Sequence, residues 1–448
     1  MYRTLEKDLL TWKERKDRLS LILRGARQVG KSFTIEKFGH THFSHLCTIN
    51  FELEPSFEKA FENLDPQEII RQIESKKGIP LIPGKTLLFL DEIQNCPKAI
   101  LALRYFKEKM GDLHVISAGS LLEFTLHEEA FSFPVGRVEF LYLHPLSFEE
   151  FLINQLSKQK LFQEIQTTTL ENPLPDLIHQ TLIEEIRHYM ILGGMPKVVQ
   201  NFLQENSLRE SERLQNTLLQ TYRNDFGKYA SKTEHKHLQR FFEKAPYIVG
   251  DHFKYVNVDP DARSRELKVA LTQLSWAGLL HQVFATAASG VPLEAEMKEN
   301  KFKLLFLDIG LLQSANPIPY ELILNGDVRQ INRGALAEQF VGQELIAYAP
   351  AWDRRKLFFW EREARNAEAE VDYIFSIQNQ IVPIEVKAGK TGHLKSLQIF
   401  LREKGLPIGV RISELPLSLQ GNVLNVPFYL MGQLPRLFMS LKDSQKRI

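Results

Sequence analysis

Residues 21 to 32, Leu-Ile-Leu-Arg-Gly-Ala-Arg-Gln-Val-Gly-Lys-Ser, carry an apolar run straight into the spacing G-x-x-x-x-G-K-S and on into helix-forming sequence. That succession of strand, glycine-rich turn and helix is the context a phosphate-binding loop requires. Gly25 and Gly30 let the backbone turn its amide hydrogens inward at a helix N-terminus, whose partial positive charge favours anions. Gly25, Ala26, Arg27, Gln28, Val29, Gly30, Lys31 and Ser32 are therefore read as the cradle of a nucleoside triphosphate. Lys31 would reach the β- and γ-phosphates, and the Ser32 hydroxyl would ligate magnesium. The competing reading is a plain strand-to-helix turn, which a glycine-rich spacing also produces by chance.

A second motif narrows the choice. Leu87-Leu88-Phe89-Leu90-Asp91-Glu92 is a wholly apolar run, as expected of a strand buried on both faces of a parallel sheet, and it ends in two carboxylates. Asp91 would hold the metal through water, and Glu92 would orient and activate the water attacking the γ-phosphate. A third strand, His114 to Ala118, leads into Gly119 and Ser120, where a polar side chain would sense the γ-phosphate. Ser120 is preferred to Ser117 in that role, with a ligand-free small-residue turn as the alternative. Arg137 would contact the γ-phosphate of its own or a neighbouring subunit, or else form an ordinary salt bridge.

From Leu19 to Phe151 short apolar strands (19–24, 45–51, 86–90, 114–118 and 138–143) alternate with helical segments, which predicts a doubly wound parallel α/β sheet. An irregular stretch, 124–135, precedes the last strand. The following residues to about Glu205 read as a helical lid over the nucleotide, broken at Gly193-Gly194-Met195-Pro196 by a hinge or a helix–helix turn. In Ser264–Leu280 the apolar residues Leu267, Ala270, Leu271 and Leu274 share one face, with strand-like runs after them, as in a winged helix. The expected segments are thus 1–150, 151–207, 208–325 and 326–448.

The last segment carries the second constellation. Glu370 to Ile377 alternates like a strand, Gln378-Asn379-Gln380 turns, and Ile381 to Lys387 returns as its partner, which brings Asp372 alongside Glu385. Two carboxylates suit one magnesium ion, and Lys387, on the same face as Glu385, would position or deprotonate the attacking water. Glu338 falls on the apolar stripe of a helix over 334–348, where a buried acid needs a partner and a metal would serve. The alternative is a structural salt-bridge cluster.

Composition excludes several classes. With 44% hydrophobic and 25% charged residues over 448 positions, the chain is globular with ample core. A formal net charge of +1 rules out a globally basic nucleic-acid binder and leaves local patches, such as Arg263, Arg265 and Lys268, as the available footprint. Two cysteines, Cys47 and Cys96, argue against a disulfide framework or a thiolate zinc site. Glu6, Asp8, Glu14 and Asp17 make the first twenty residues an amphipathic helix and no secretory signal, and no apolar stretch approaches a membrane span. A cytoplasmic protein with no membrane partner is expected.

Taken together, the sequence resembles the large prokaryotic family of AAA-type ATPases that carry a C-terminal restriction-endonuclease-like domain. The resemblance spans nearly all of the chain. It rests on residues 25–32, Leu90-Asp91-Glu92-Ile93-Gln94, Ala118-Gly119-Ser120, Gly136-Arg137 and His144-Pro145-Leu146-Ser147-Phe148. It continues through residues 193–196, 222–225 and 307–311, Gly334-Ala335-Leu336-Ala337-Glu338, Glu370-Val371-Asp372 and Glu385-Val386-Lys387. Ala26 departs from the family pattern, which has proline before Arg27; this alters loop stiffness and leaves the backbone contacts to phosphate in place. The resemblance implies an AAA-like P-loop ATPase core, a helical lid, a winged-helix middle domain and a nuclease-like end, with ATP and Mg2+ as cofactors. DNA and a second copy of the chain stay open as partners. Three functions compete: an ATPase driving a DNA-directed module, an ATP-dependent switch with a non-catalytic C-terminal domain, and a DNA-binding regulator.

Overall fold

The computed structural model describes residues 1–120, 122–126, 136–228, 232–316, 333–362, 369–389 and 393–445. Most of the irregular 124–135 stretch and the expected boundary after residue 325 lie outside them. The chain divides into two compact units. The first comprises Met1–His144 with Trp276–Gly278 and Ala349–Arg354, and the second Pro145–Ser275, Leu279–Tyr348 and Arg355–Ile448.

The first unit is built on five strands, β1 (Ser20–Arg24), β2 (His45–Asn50), β3 (Thr86–Asp91), β4 (His114–Ala118) and β5 (Val138–Tyr142). Their order is β2-β3-β4-β1-β5 and every neighbouring pair is parallel. Every residue of β3 and β4 is buried, as apolar runs covered on both faces must be. Helices Pro66–Lys77 and Pro97–Lys109 each begin on a proline, whose fixed φ suits a first helical turn. One face of the sheet packs Ile49, Leu88 and Leu90 against Phe61, Ile69, Ile100 and Phe106. Parallel pairing aligns the carboxyl ends of β1, β3 and β4, where open α/β sheets place their ligands.

In the second unit, helices such as Asp176–Leu192, Pro196–Glu205 and Leu208–Asp225 accompany an eight-stranded sheet. The Gly193-Gly194 break is fastened: Gly194 N–H donates to Asp308 Oδ2 at 2.6 Å, and a Cβ on Gly193 would lie 2.1 Å from Asp308 Oδ1. Complete burial pushes the Asp308 carboxyl up to about 6, against the opposing pull of backbone N–H groups from Gly194, Leu311 and Gly310.

The sheet comprises β6 (Leu280–Thr286), β7 (Met297–Phe306), β8 (Leu357–Glu361), β9 (Glu370–Ile377), β10 (Gln380–Val386), β11 (Gly409–Ser413), β12 (Ser418–Gln420) and β13 (Val423–Pro427). Its order is β12-β13-β11-β10-β9-β8-β6-β7. The expected winged-helix hairpin is β6 with β7, but β6 also pairs in parallel with β8. These strands are therefore the edge of one sheet shared with the C-terminal strands, and not a free wing. In helix Ser264–Trp276 the predicted face of Leu267, Ala270, Leu271 and Leu274 is buried, while Arg265 and Lys268 are exposed. Among the described residues no helix is long and apolar enough to cross a membrane.

Candidate functional site

The loop of residues 25–30 adopts the backbone its sequence permits. Gly25 has φ +146, and a Cβ there would stand 2.2 Å from the carbonyl oxygen of Leu143 at the end of β5. Gln28 and Gly30 follow in left-handed conformations, with φ 63 and 95, and helix Lys31–His42 starts at once. Successive residues turned this way aim their amides at a common point, an anion-binding concavity. Arg3, which the sequence pattern does not single out, donates to the carbonyls of Val29 (3.0 Å) and His144 (2.5 Å) and so fastens the far side of the loop.

Lys31 is buried, and its ammonium donates to the carbonyls of Gly25 at 2.9 Å and Ala26 at 2.8 Å. Desolvation brings its pKa down to about 8, with the nearby charges of Glu92 and Asp91 opposing the shift. Ser32 Oγ donates to the Asp91 carboxylate, 2.9 Å from Oδ2, and Asn50 Nδ2 donates to the same oxygen at 3.0 Å. Asn50 is opposite Asp91 in the β2–β3 register, a position that only the observed strand order reveals. Burial raises the Asp91 pKa, Glu92 raises it further, and the Ser32 hydrogen bond works the other way. A hydroxyl beside a carboxylate is an all-oxygen donor set of the kind magnesium prefers.

Glu92 follows at the end of β3 with φ 49, a left-handed conformation that costs a non-glycine residue about 1 kcal/mol. Its Oε2 accepts from Gln94 Nε2 at 2.6 Å and faces Ser120 Oγ at 3.4 Å. Arg27 Nε donates to that same Ser120 oxygen at 3.1 Å. Ser117, by contrast, turns into the sheet toward the Leu21 carbonyl. Lys31, Ser32, Asp91, Glu92 and Ser120 thus share one edge of the sheet.

Arg137 does not join them. It immediately precedes β5, whose Val138 is level with Ser20 at the start of β1, whereas the loop follows the other end of β1. Four strand residues of about 3.3 Å each separate the two edges, and the Arg137 side chain is half-exposed in an ion pair with Glu108 at 2.9 Å. A γ-phosphate held by its own loop is out of reach, so the intrasubunit arginine role is withdrawn.

The C-terminal acids gather as well, with a different composition. Continuing the β9–β10 register sets Asp372 opposite Glu385, and Asp372 Oδ2 accepts from Val386 N–H at 2.7 Å. Lys387 Nζ donates to Glu385 Oε1 at 2.7 Å, while Glu385 Oε2 is buried with no hydrogen-bond partner among the described residues. Glu338, on helix Arg333–Ala347, is drawn elsewhere: Lys303 Nζ of β7 lies 3.2 Å from its Oε2 and also contacts Glu370. Burial disfavours the Lys303 ammonium, but Glu338, Glu370 and Asp372 outweigh that and hold its pKa above the ordinary value. Burial and the neighbouring Asp372 raise Glu338 to about 8 and Glu385 to about 7.

Among the described residues the group whose ligand atoms all fall within 4.8 Å is His252, Glu361 and Glu370, and both glutamates are already paired with Lys301 and Lys303. Glu338, Asp372 and Glu385 do not converge that closely. Glu338 instead faces Lys303 Nζ at 3.2 Å, a partner that its place on a helical stripe does not reveal. Lys303 is about seventy residues from Asp372, and no short motif announces it.

Residues 17–152 match a family model described as an AAA domain, residues 183–321 one described as a domain of unknown function (DUF8612), and residues 333–429 another domain of unknown function (DUF4143). No curated protein matches the chain. Similar solved structures include the Aeropyrum pernix ORC2 protein in its ADPNP-ADP complexes, at 14% identity over 72% of this chain and 92% of that one, with a TM-score of 0.26. The ADP form of the same protein gives 14% identity over 73% and 93%, with a TM-score of 0.29. The C. elegans PCH-2 structure gives 13% over 49% and 63%, with a TM-score of 0.26. At such values the structural likenesses carry no weight here. The AAA domain match, together with the five-stranded parallel sheet, supports a P-loop ATPase.

Proposed function

We propose that the N-terminal unit binds ATP and hydrolyses it, and that the nucleotide cycle acts on a DNA-directed C-terminal module. The observation that carries the first part is the gathering of Lys31, Ser32, Asp91, Glu92 and Ser120 where the amide-lined loop opens. In this reading the amides of residues 25–32 bind the phosphates, and the Lys31 ammonium exchanges the carbonyls of Gly25 and Ala26 for phosphate oxygens. Ser32 and Asp91 would hold magnesium, which when bound neutralises charge on the β- and γ-phosphates. Glu92 takes the proton of the attacking water, and Ser120 orients the terminal phosphate. ATP turnover by the wild type and its loss in Lys31→Ala test the proposal; turnover that survives the substitution removes the loop from the account. Acceleration by duplex DNA supports the coupling, and a rate indifferent to DNA favours the switch.

A second reading concerns Asp372 and Glu385, and the unpartnered Glu385 Oε2 favours it. That oxygen, with the opposed Asp372 carboxylate, suits a hard divalent cation, which when bound would activate water for phosphodiester hydrolysis. Lys387 and Val386 N–H hold the two acids in place. Incubation of the full chain with DNA and magnesium or manganese tests it: cleavage lost in Asp372→Ala or Glu385→Ala supports a nuclease, and no cleavage supports a docking platform.

A further inference from the structure

Gln94 sits in the turn Ile93–Asn95 just past the acidic pair, and its geometry is costly without structural return. Its amide nitrogen donates to Glu92 Oε2 at 2.6 Å, while its carbonyl oxygen is buried with no hydrogen-bond partner among the described residues. An unsatisfied buried acceptor is unfavourable by about 1–3 kcal/mol. The same oxygen dictates the residue opposite: a Cβ on Gly119 would lie 2.3 Å from Gln94 Oε1, so the end of β4 must be glycine while Gln94 keeps this pose. Glu92 itself holds a left-handed backbone. Two departures from local comfort, the left-handed backbone at position 92 and the unsatisfied oxygen at position 94, converge on the direction of one carboxylate, and local rules are broken in this way mainly at functional sites.

We infer that Gln94 is a positioning residue for ATP hydrolysis: its amide fixes the Glu92 carboxylate against Ser120, and Gly119 exists to admit it. The inference rests on the proposed ATPase reading. Gln94 touches no phosphate in this scheme; it acts through Glu92. Removing it therefore leaves nucleotide binding intact and lowers the chemical step.

Steady-state ATP hydrolysis and nucleotide affinity of the full chain are measured for the wild type, Gln94→Ala, Gly119→Ala and the double variant. Gln94→Ala is expected to lower kcat roughly 10- to 100-fold, the scale of a misplaced reacting group, with KM and ATP affinity within about twofold of wild type. Gly119→Ala, which evicts Gln94, is expected to give the same kcat loss and to add nothing in the Gln94→Ala background, as coupled positions do. Wild-type kcat in Gln94→Ala, or losses that multiply in the double variant, overturn the inference and leave the ATPase intact. A wild type without turnover overturns both.

Discussion

Lys31 and Lys303 are both almost fully buried, at 7% and 4% exposure, yet their surroundings push them in opposite directions. Lys31 donates to the carbonyl oxygens of Gly25 and Ala26 and falls to about 8, whereas Lys303 contacts two glutamates and is held above its ordinary range. Burial alone disfavours both ammonium groups; the charge of the partner decides the outcome. The first lysine is poised to gain from an arriving anion. The second is already neutralised, in a cluster whose excess charge is negative and whose Glu338 and Glu385 are raised to about 8 and 7.

The largest expected effect lies in the first site. Glu92→Gln lowers ATP turnover by a factor on the order of 10² to 10⁴, the usual contribution of a general base, and keeps nucleotide affinity. Steady-state kinetics beside equilibrium binding check it, and a rate within a few-fold of wild type breaks the assignment.

The two lysines can next be compared directly by urea denaturation at pH 7 without nucleotide. Lys303→Met removes the buried cation that Glu338 and Glu370 share and is expected to destabilise by roughly 3 kcal/mol. Lys31→Met removes a desolvated ammonium bonded to neutral carbonyls and should change stability by clearly less than Lys303→Met does. Equal losses in the two variants would erase the contrast.

The pH dependence sharpens the same point. Glu338 and Glu385, with Glu344, a buried residue of helix Arg333–Ala347 whose Oε2 accepts from Phe148 N–H at 3.0 Å, have folded pKa values of about 8, 7 and 8, raised chiefly by burial above 4.5. Groups raised in this way contribute stability that is fully present below pH 4.5 and is lost as pH climbs through 7 to 8. Lys31, lowered from 10.5 to about 8, has the opposite slope, its contribution improving from pH 8 toward 10.5. The melting temperature is expected to fall between pH 5 and 8, and Glu338→Gln to flatten the fall. A wild-type profile flat over that range contradicts the acid assignments. The smallest effect is at Asn50: loss of its bond to Asp91 in Asn50→Ala removes about 1 kcal/mol, read as a several-fold weaker magnesium dependence of nucleotide binding.

What the sequence made legible follows the range of the interactions. The strands of the first sheet were read to within one residue because each is an apolar run closed by turn chemistry, and loop 25–32 is a contiguous motif. Asp372 and Glu385 were paired correctly across their hairpin since period two and a short turn fix that register. Lys303 and Asn50 escaped notice because their roles depend on which strands become neighbours. Arg137 misled for a related reason: nearness in sequence to the last strand does not tell which end of the sheet it occupies. The hairpin after Ser264–Trp276 looked like a wing because its pairing with β8 spans more than seventy residues.

The central claim is that the loop of residues 25–32 grips a nucleoside triphosphate, and titration calorimetry of the full chain with ATP and magnesium tests it most directly. One binding event per chain, abolished by Lys31→Ala in protein that melts like the wild type, is the predicted result. Absence of binding heat from folded wild-type protein at several temperatures, or equal affinity in the variant, would contradict it.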